Sequence, residues 1–275
     1  YKRQLIDRFM KTAWLIQSET NIHVGNENTS SVGLIDKEIQ RDALTQIPCI
    51  NASSLKGAMN EYATVKAGLE DKDRIAIFGV DKTGKKSDTQ KGGCIFFDAH
   101  LLLLPVQDDK NLYKLVTSKE TIEQYLNLLK MVGISVGYND FINKLKHDYN
   151  RFDGEEGDKN SIISIAKFNE LCSNDELPII ARNNLTGNGN LWYEQCLPQK
   201  TVFGTIIDIP ESVRVVLKEK TDSSQKSESV ECIVSNVPQL MTNTFNDKIV
   251  QIGANATIGY GYCKFIKIYE KEDRL

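Results

Sequence analysis

Cys94–Val106, CIFFDAHLLLLPV, carries the strongest strand signal in the chain. A run that stays apolar, instead of alternating with polar residues, predicts a central strand covered on both faces. Upstream, Lys11–Ser18 (KTAWLIQS) reads as a second buried strand. Leu55, Ala58, Met59, Tyr62 and Val65 then recur at helical spacing, with Ser53 or Ser54 as N-cap. A short helix is expected over Asp71–Phe78, followed by a mobile lysine-rich loop, GVDKTGKKSDTQKGG, at 79–93. Downstream, a helix over Lys119–Met131 is capped by Thr117 or Ser118. Strands over Pro178–Asn183 and Leu191–Cys196 flank the turn LTGNGN, and Lys200–Ile209 is a further apolar strand. Thr221–Ser229 reads as a polar loop, Val230–Phe245 as the last helix, and Ile249–Ile252 and Tyr262–Tyr269 as closing strands.

The core order is therefore strand, helix, strands, then strand, helix, strand. That is an α+β chain with the βαββαβ pattern of a ferredoxin-like fold, carrying a long central insertion. Gly133–Glu176 is polar and aperiodic apart from a helical patch at Ile162–Leu171, and reads as part of the insertion, not as a second core. One domain over residues 1–275, with the insertion at about 133–200, is the expected organisation.

Composition narrows the class. With 40% hydrophobic and 26% charged residues in 275, a packed core is expected and global disorder is not. A net charge of -3 argues against a protein that coats nucleic acid indiscriminately, but leaves a local basic groove open. No apolar run approaches the roughly 18 residues of a membrane span. No secretory signal is read at Tyr1, so a cytoplasmic protein with no membrane partner is expected. Six cysteines without a C-x-x-C pair fit neither zinc nor a disulfide framework, and read as buried thiols in a reducing cytosol.

Several stretches could carry chemistry. Gly79–Lys86 has P-loop spacing but places Lys86 where the Ser/Thr should stand, so it reads as an exposed loop. At Ser53-Ser54-Leu55-Lys56-Gly57, free helix amides and a lysine can hold a phosphate, with Gly57 letting a backbone approach closely. An ordinary capped helix with a surface lysine would look the same. The glycines of Gln251–Gly261 (QIGANATIGYG) form either an anion-binding nest or a plain hairpin. Trp192, Tyr193 and Glu194 stand beside a turn, where Trp192 either stacks on a base or packs into the core. His23 and Asp36 lie in the polar stretch that opens at His23 and ends at Gly57. Each is read either as a structural turn residue or as part of a site.

In order, IHVG (22–25), IDKEIQRDALTQIP (35–48), NASSLKGA (51–58), LPIIARNN (177–184), GNLWYEQCLPQKTVF (189–203) and QIGANATIGYG (251–261) resemble the RAMP superfamily. More narrowly, they resemble the multi-copy backbone subunits of type III-B CRISPR (Cmr) effector complexes. The resemblance implies a ferredoxin-like (RRM-like) palm with an inserted β-hairpin thumb. Copies would stack into a filament along crRNA beside other Cmr-complex subunits, and single-stranded target RNA would be cut at regular intervals, one site per copy. By the same resemblance Asp36 is the key catalytic and metal-binding residue, with His23 beside it and Glu194 an accessory on the thumb side. A loosely held Mg2+ or Mn2+ ion would assist, giving 2′,3′-cyclic phosphate and 5′-hydroxyl ends. RNA would run along Ser53, Ser54, Lys56 and Gly57 and along Gly253, Asn255, Gly259 and Gly261, with Arg41 a further contact and Trp192 a stacking candidate. Asn51-Ala52 and Ala254 stand where the family usually has Pro-Gly and a second glycine. The alternative expectation is a non-catalytic RNA-binding scaffold subunit of the same complex.

Overall fold

Trp14, Leu15 and Ile16 are all fully buried, although successive strand residues point to opposite faces. The strand that holds them, β1 (Arg8–Ser18), is therefore covered on both sides. The computed structural model describes residues 8–25, 35–80, 90–157, 159–184, 190–219 and 228–274. After β1 come β2 (Cys49–Ile50), α1 (Ala52–Val65), α2 (Asp71–Phe78), β3 (Gly79–Val80) and β4 (Gln90–Lys91). β5 (Ile95–Phe96), β6 (Ala99–Val106), β7 (Lys114–Ser118), α3 (Lys119–Met131) and α4 (Tyr138–Asp148) follow. Next are β8 (Ile162–Ile163), α5 (Ile165–Leu171), β9 (Ile179–Asn184), β10 (Asn190–Gln195) and β11 (Val202–Pro210). The chain ends with β12 (Ser212–Glu219), β13 (Glu228–Ser235), α6 (Val237–Phe245), β14 (Ile249–Gln251) and β15 (Tyr262–Arg274).

The main sheet runs β14-β15-β1-β11-β6-β7-β8, with β2 added on β6 and β5 on β11. Its four long strands stand in the order β15-β1-β11-β6, and each neighbouring pair is antiparallel. Helix α1 connects β1 to β6 and α6 connects β11 to β15, which is the expected ferredoxin-like arrangement. On one face Trp14, Ile16, Phe203 and Phe265 pack with Leu55 and Met59 of α1 and Phe245 of α6. On the other, Ala13, Leu15 and Ile206 pack with Ile122 and Tyr125 of α3 and Phe141 and Leu145 of α4. No helix among the described residues is long and apolar enough to cross a membrane.

Several expectations need correction. The apolar run at 94–106 is interrupted at Phe97–Asp98, and β6 slips register against β11 between Val202 and Phe203. One consequence is that Leu102 and Leu103 both join the α3 side of the core. Gly133–Glu176 is not devoid of core: α4, unforeseen in the sequence, buries Phe141, Ile142 and Leu145, and β8 extends the main sheet. The first part of the helix expected at Val230–Phe245 is instead β13, paired along eight residues with β12. Its Cys232 and Val234 turn inward at strand spacing, and only from Val237, with proline in the first turn, does a helix begin. The expected hairpin forms, β9 against β10 as a separate two-stranded sheet. The segment Asn26–Gly33, most of the lysine-rich loop and most of the polar loop at 221–229 lie outside the described residues.

Candidate nucleic-acid interface

In residues 35–41, Ile35, Ile39 and Gln40 are buried while Asp36 and Lys37 are exposed. This segment lies along the outer edge of β10. The N–H groups of Asp36 and Lys37 both donate to the Tyr193 carbonyl, at 3.0 and 3.1 Å, and Gln195 N–H donates to the Lys37 carbonyl at 3.0 Å. Tyr193 N–H in turn donates to Asp36 Oδ2 at 2.7 Å. The Asp36 carboxylate is thus anchored by one oxygen while the residue stays exposed.

His23 is only 3% exposed. Its Nδ1 stands 2.6 Å from the Gln195 carbonyl, which can only accept, so Nδ1 carries the proton of that bond. The fold therefore joins His23 to the Asp36 segment through the backbone of Gln195, but keeps its ring inside the protein. Glu194 is 1% exposed and accepts from Asn255 Nδ2. It also forms ion pairs with Arg182 Nε at 3.3 Å and Lys37 Nζ at 4.0 Å. Arg182 stacks over the Tyr260 ring at 4.7 Å, and Lys37 over Trp192 at 5.0 Å. Glu194 is thus the buried carboxylate that ties the hairpin, the Asp36 segment and the 253–261 loop together.

Gln40 links the Asp36 segment to the start of helix α1. The N-cap of α1 is Asn51, not Ser53 or Ser54, and Asn51 makes no side-chain cap bond. Two distant side chains cap instead: Gln40 Oε1 accepts from Asn51 N–H at 2.8 Å and Asp98 Oδ1 from Ala52 N–H at 2.6 Å. The break at Phe97–Asp98 is what brings Asp98 there. Gln40 also donates to Ser54 Oγ and to the Gly25 carbonyl, so one buried amide stitches the Asp36 segment to the start of α1. Ser53 and Gly57 are exposed, and Ser54 and Lys56 half-buried. Three- and four-residue spacing puts Ser53, Ser54 and Gly57 on one face, flanked by Lys56. A side chain added at Gly57 would meet nothing within 4 Å. The chain's own packing therefore does not require glycine there.

The loop between β14 and β15 spends part of its backbone on the protein. The N–H groups of Ala254, Ile258, Gly259, Tyr260 and Gly261 all donate internally, so an anion-binding nest here would have to use the amides of Asn255, Ala256 and Thr257, where the 3-10 turn begins. Gly253 (φ +83) and Gly261 (φ +76) press against the carbonyls of His23 and Ile252, so both glycines are demanded by this chain's own backbone. Asn255 adopts φ 65 and directs its amide to Glu194. Gly259 alone among these glycines leaves open space.

Arg41 spends both terminal nitrogens on the protein, Nη1 donating to the Gln46 and Cys172 carbonyls and Nη2 to Asn174 Oδ1, while its buried Nε has no hydrogen-bond partner among the described residues. Burial lowers its pKa from the ordinary arginine value. Trp192 is half-buried, neither free at the surface nor in the core. Gln40, Gln195 and Arg182 were not singled out from sequence. A lone arginine in an apolar strand opposite Trp192 was the available signal for Arg182; a buried glutamine leaves none.

The RAMP superfamily model matches residues 15–264. The CRISPR system Cmr endoribonuclease Cmr4 of Pyrococcus furiosus is 24% identical over 288 residues, covering 88% of this chain and 90% of that protein. Oligomeric Cmr4 from the same organism, in its crystal structure, has a TM-score of 0.62 at 19% identity, over 97% of this chain and 99% of that one. A cryo-EM structure of type III-B Cmr-beta bound to cognate target RNA has a TM-score of 0.64 at 19% identity, over 94% and 96%. At such identities the structural likenesses speak to the fold.

Proposed function

Because this chain belongs to the RAMP superfamily, we propose that it is a backbone subunit of a type III-B Cmr effector complex that holds crRNA and cuts complementary target RNA. The observation that carries this reading is the segment 35–41. It is bonded on one side to the hairpin through Tyr193, and on the other to the start of α1 through Gln40. One hydrogen-bonded segment thus couples a helix face suited to an RNA backbone to an exposed, anchored carboxylate.

In this reading the guide follows Ser53, Ser54, Lys56 and the bare backbone at Gly57, and the β9–β10 hairpin is the thumb. Copies assemble along the guide, so cuts fall at regular intervals. At each cut the target's 2′-oxygen bonds to the adjacent phosphorus and the P–O5′ bond breaks. Asp36 orients the attacking hydroxyl and accepts its proton, and the departing 5′-oxygen is protonated from solvent. Glu194 and His23 act from inside the protein, holding the hairpin and the segment in register.

Among the described residues no group of three or more His, Cys, Asp or Glu could hold a metal ion. A single exposed carboxylate such as Asp36 suits a loosely bound Mg2+ or Mn2+ that takes its remaining ligands from water and RNA. When bound, such an ion supplies charge stabilisation at the phosphate.

The test is the assembled complex with guide RNA and end-labelled complementary target, wild type beside Asp36→Asn, with Mg2+ or Mn2+ and with chelator. Asparagine keeps an oxygen for Tyr193 N–H, so target binding persists while the evenly spaced products vanish. Binding without cleavage in both proteins would leave the scaffold reading, and undiminished cleavage by the variant would remove Asp36 from the chemistry.

A further inference from the structure

The β9–β10 register places Arg182 directly opposite Trp192, on the same face as Glu194. Three donors on this pair are buried without a hydrogen-bond partner: Arg182 Nε, Arg182 Nη2 and Trp192 Nε1. Arg182 Nε has only its 3.3 Å ion-pair approach to Glu194. Buried donors are almost always satisfied, so three orphans on one cross-strand pair call for an acceptor that the described residues do not supply. Arg182 is not free to turn away and find one. The guanidinium is stacked on Tyr260, and its side chain is 16% exposed. Glu194, the nearest carboxylate, is already divided among Arg182, Asn255 and Lys37.

The donors select the kind of acceptor. Two guanidinium nitrogens and an indole N–H on one cross-strand pair need several oxygens, and the nearby carboxylates are already engaged, Glu194 with Arg182, Asn255 and Lys37 and Asp36 with Tyr193 N–H. A phosphate, which takes an arginine fork at two oxygens, fits that donor set. Access is controlled by Lys37. Its side chain is 50% exposed, lies across the Trp192 ring and reaches Glu194 only at 4.0 Å, so it can swing aside at little cost.

We propose that Arg182 and Trp192 form a phosphate site for the target strand, uncovered by Lys37 and set beside Asp36. Arginine's fork and the indole N–H would take the oxygens of one phosphate. Because Asp36 and Lys37 both bond to Tyr193, the next residue after Trp192, a phosphate held here fixes the backbone close to the anchored carboxylate. The inference rests on the RNA-cleaving reading above and adds a second anchor to it.

Two variants test the site within the guide-loaded complex. Trp192→Phe deletes one N–H and keeps the ring under Lys37; Arg182→Lys keeps a charge for Glu194 and deletes the fork. Thermal unfolding of each confirms that the fold persists. Target RNAs carrying one neutral methylphosphonate linkage, moved stepwise along the strand, are then bound by each complex. In the wild type one linkage weakens binding about tenfold, the size expected for a charge-assisted hydrogen bond. In both variants that same linkage loses its effect while the rest of the profile stands. Identical profiles in all three complexes would overturn the site. A wild-type complex that binds no complementary target would instead overturn the functional reading beneath it.

Discussion

Gly57→Ala should move stability and RNA binding in opposite directions. Gly57 lies inside α1, where glycine costs roughly 0.5–1 kcal/mol relative to alanine. A Cβ there meets nothing within 4 Å, so the substitution adds no clash and little packing. The RNA-free variant is therefore more stable by roughly 0.5–1 kcal/mol, which for a chain of this size raises Tm by about 1–4 °C. If the guide backbone lies against the bare helix, the new methyl pushes it away from Ser53, Ser54 and Lys56. Losing about one hydrogen bond's worth of contact, ~1–1.5 kcal/mol, weakens guide binding roughly five- to tenfold. Thermal unfolding of the RNA-free protein and fluorescence anisotropy with labelled guide read the two effects separately. A raised Tm with unchanged affinity would refute the close approach at Gly57. A lowered Tm would refute the helix argument itself.

Glu194→Gln removes the carboxylate that is buried against Arg182 and leaves that guanidinium uncompensated. Breaking a buried pair from one side costs roughly 3–5 kcal/mol, so urea unfolding should shift strongly; a change under about 0.5 kcal/mol would show that the pair is not what holds the hairpin down. The Cys196 thiol is pushed up to about 11 by burial, with Glu194 adding to the effect. Unfolded thiols ionise near pH 8.5, so this contribution to stability is whole below that pH and is lost as pH rises toward 11. Cys196 should accordingly resist alkylation at pH 8 in the folded chain and react on unfolding. Rapid labelling of the native protein would contradict its burial.

Local patterns in the sequence determined most of the palm. The helices at Asp71–Phe78 and Lys119–Met131 fall where their spacing and caps put them, and the βαββαβ order leads to the strand order β15-β1-β11-β6. Periodicity reports which side of an element is buried, and that suffices for elements that bury one long stripe. At α4 the pattern was there to be read, with Tyr138, Phe141, Ile142 and Leu145 at helical spacing among polar neighbours, whereas β13 merges in sequence with the helix after it and periodicity cannot separate the two. The site was legible only as a set of residue types. Asp36 meets Tyr193 across 157 positions, His23 meets Gln195 across 172 and Glu194 meets Asn255 across 61. No local pattern encodes such pairings. They follow from the edge of β10 being left open by β9, so that residues 36–38 could add to it and Gln40 could reach the start of α1. That same closure buried His23, occupied Arg41 and left Arg182 and Trp192 with donors unspent. A donor's partner is set by which backbone edges the packed sheet leaves free, and only the tertiary structure decides that.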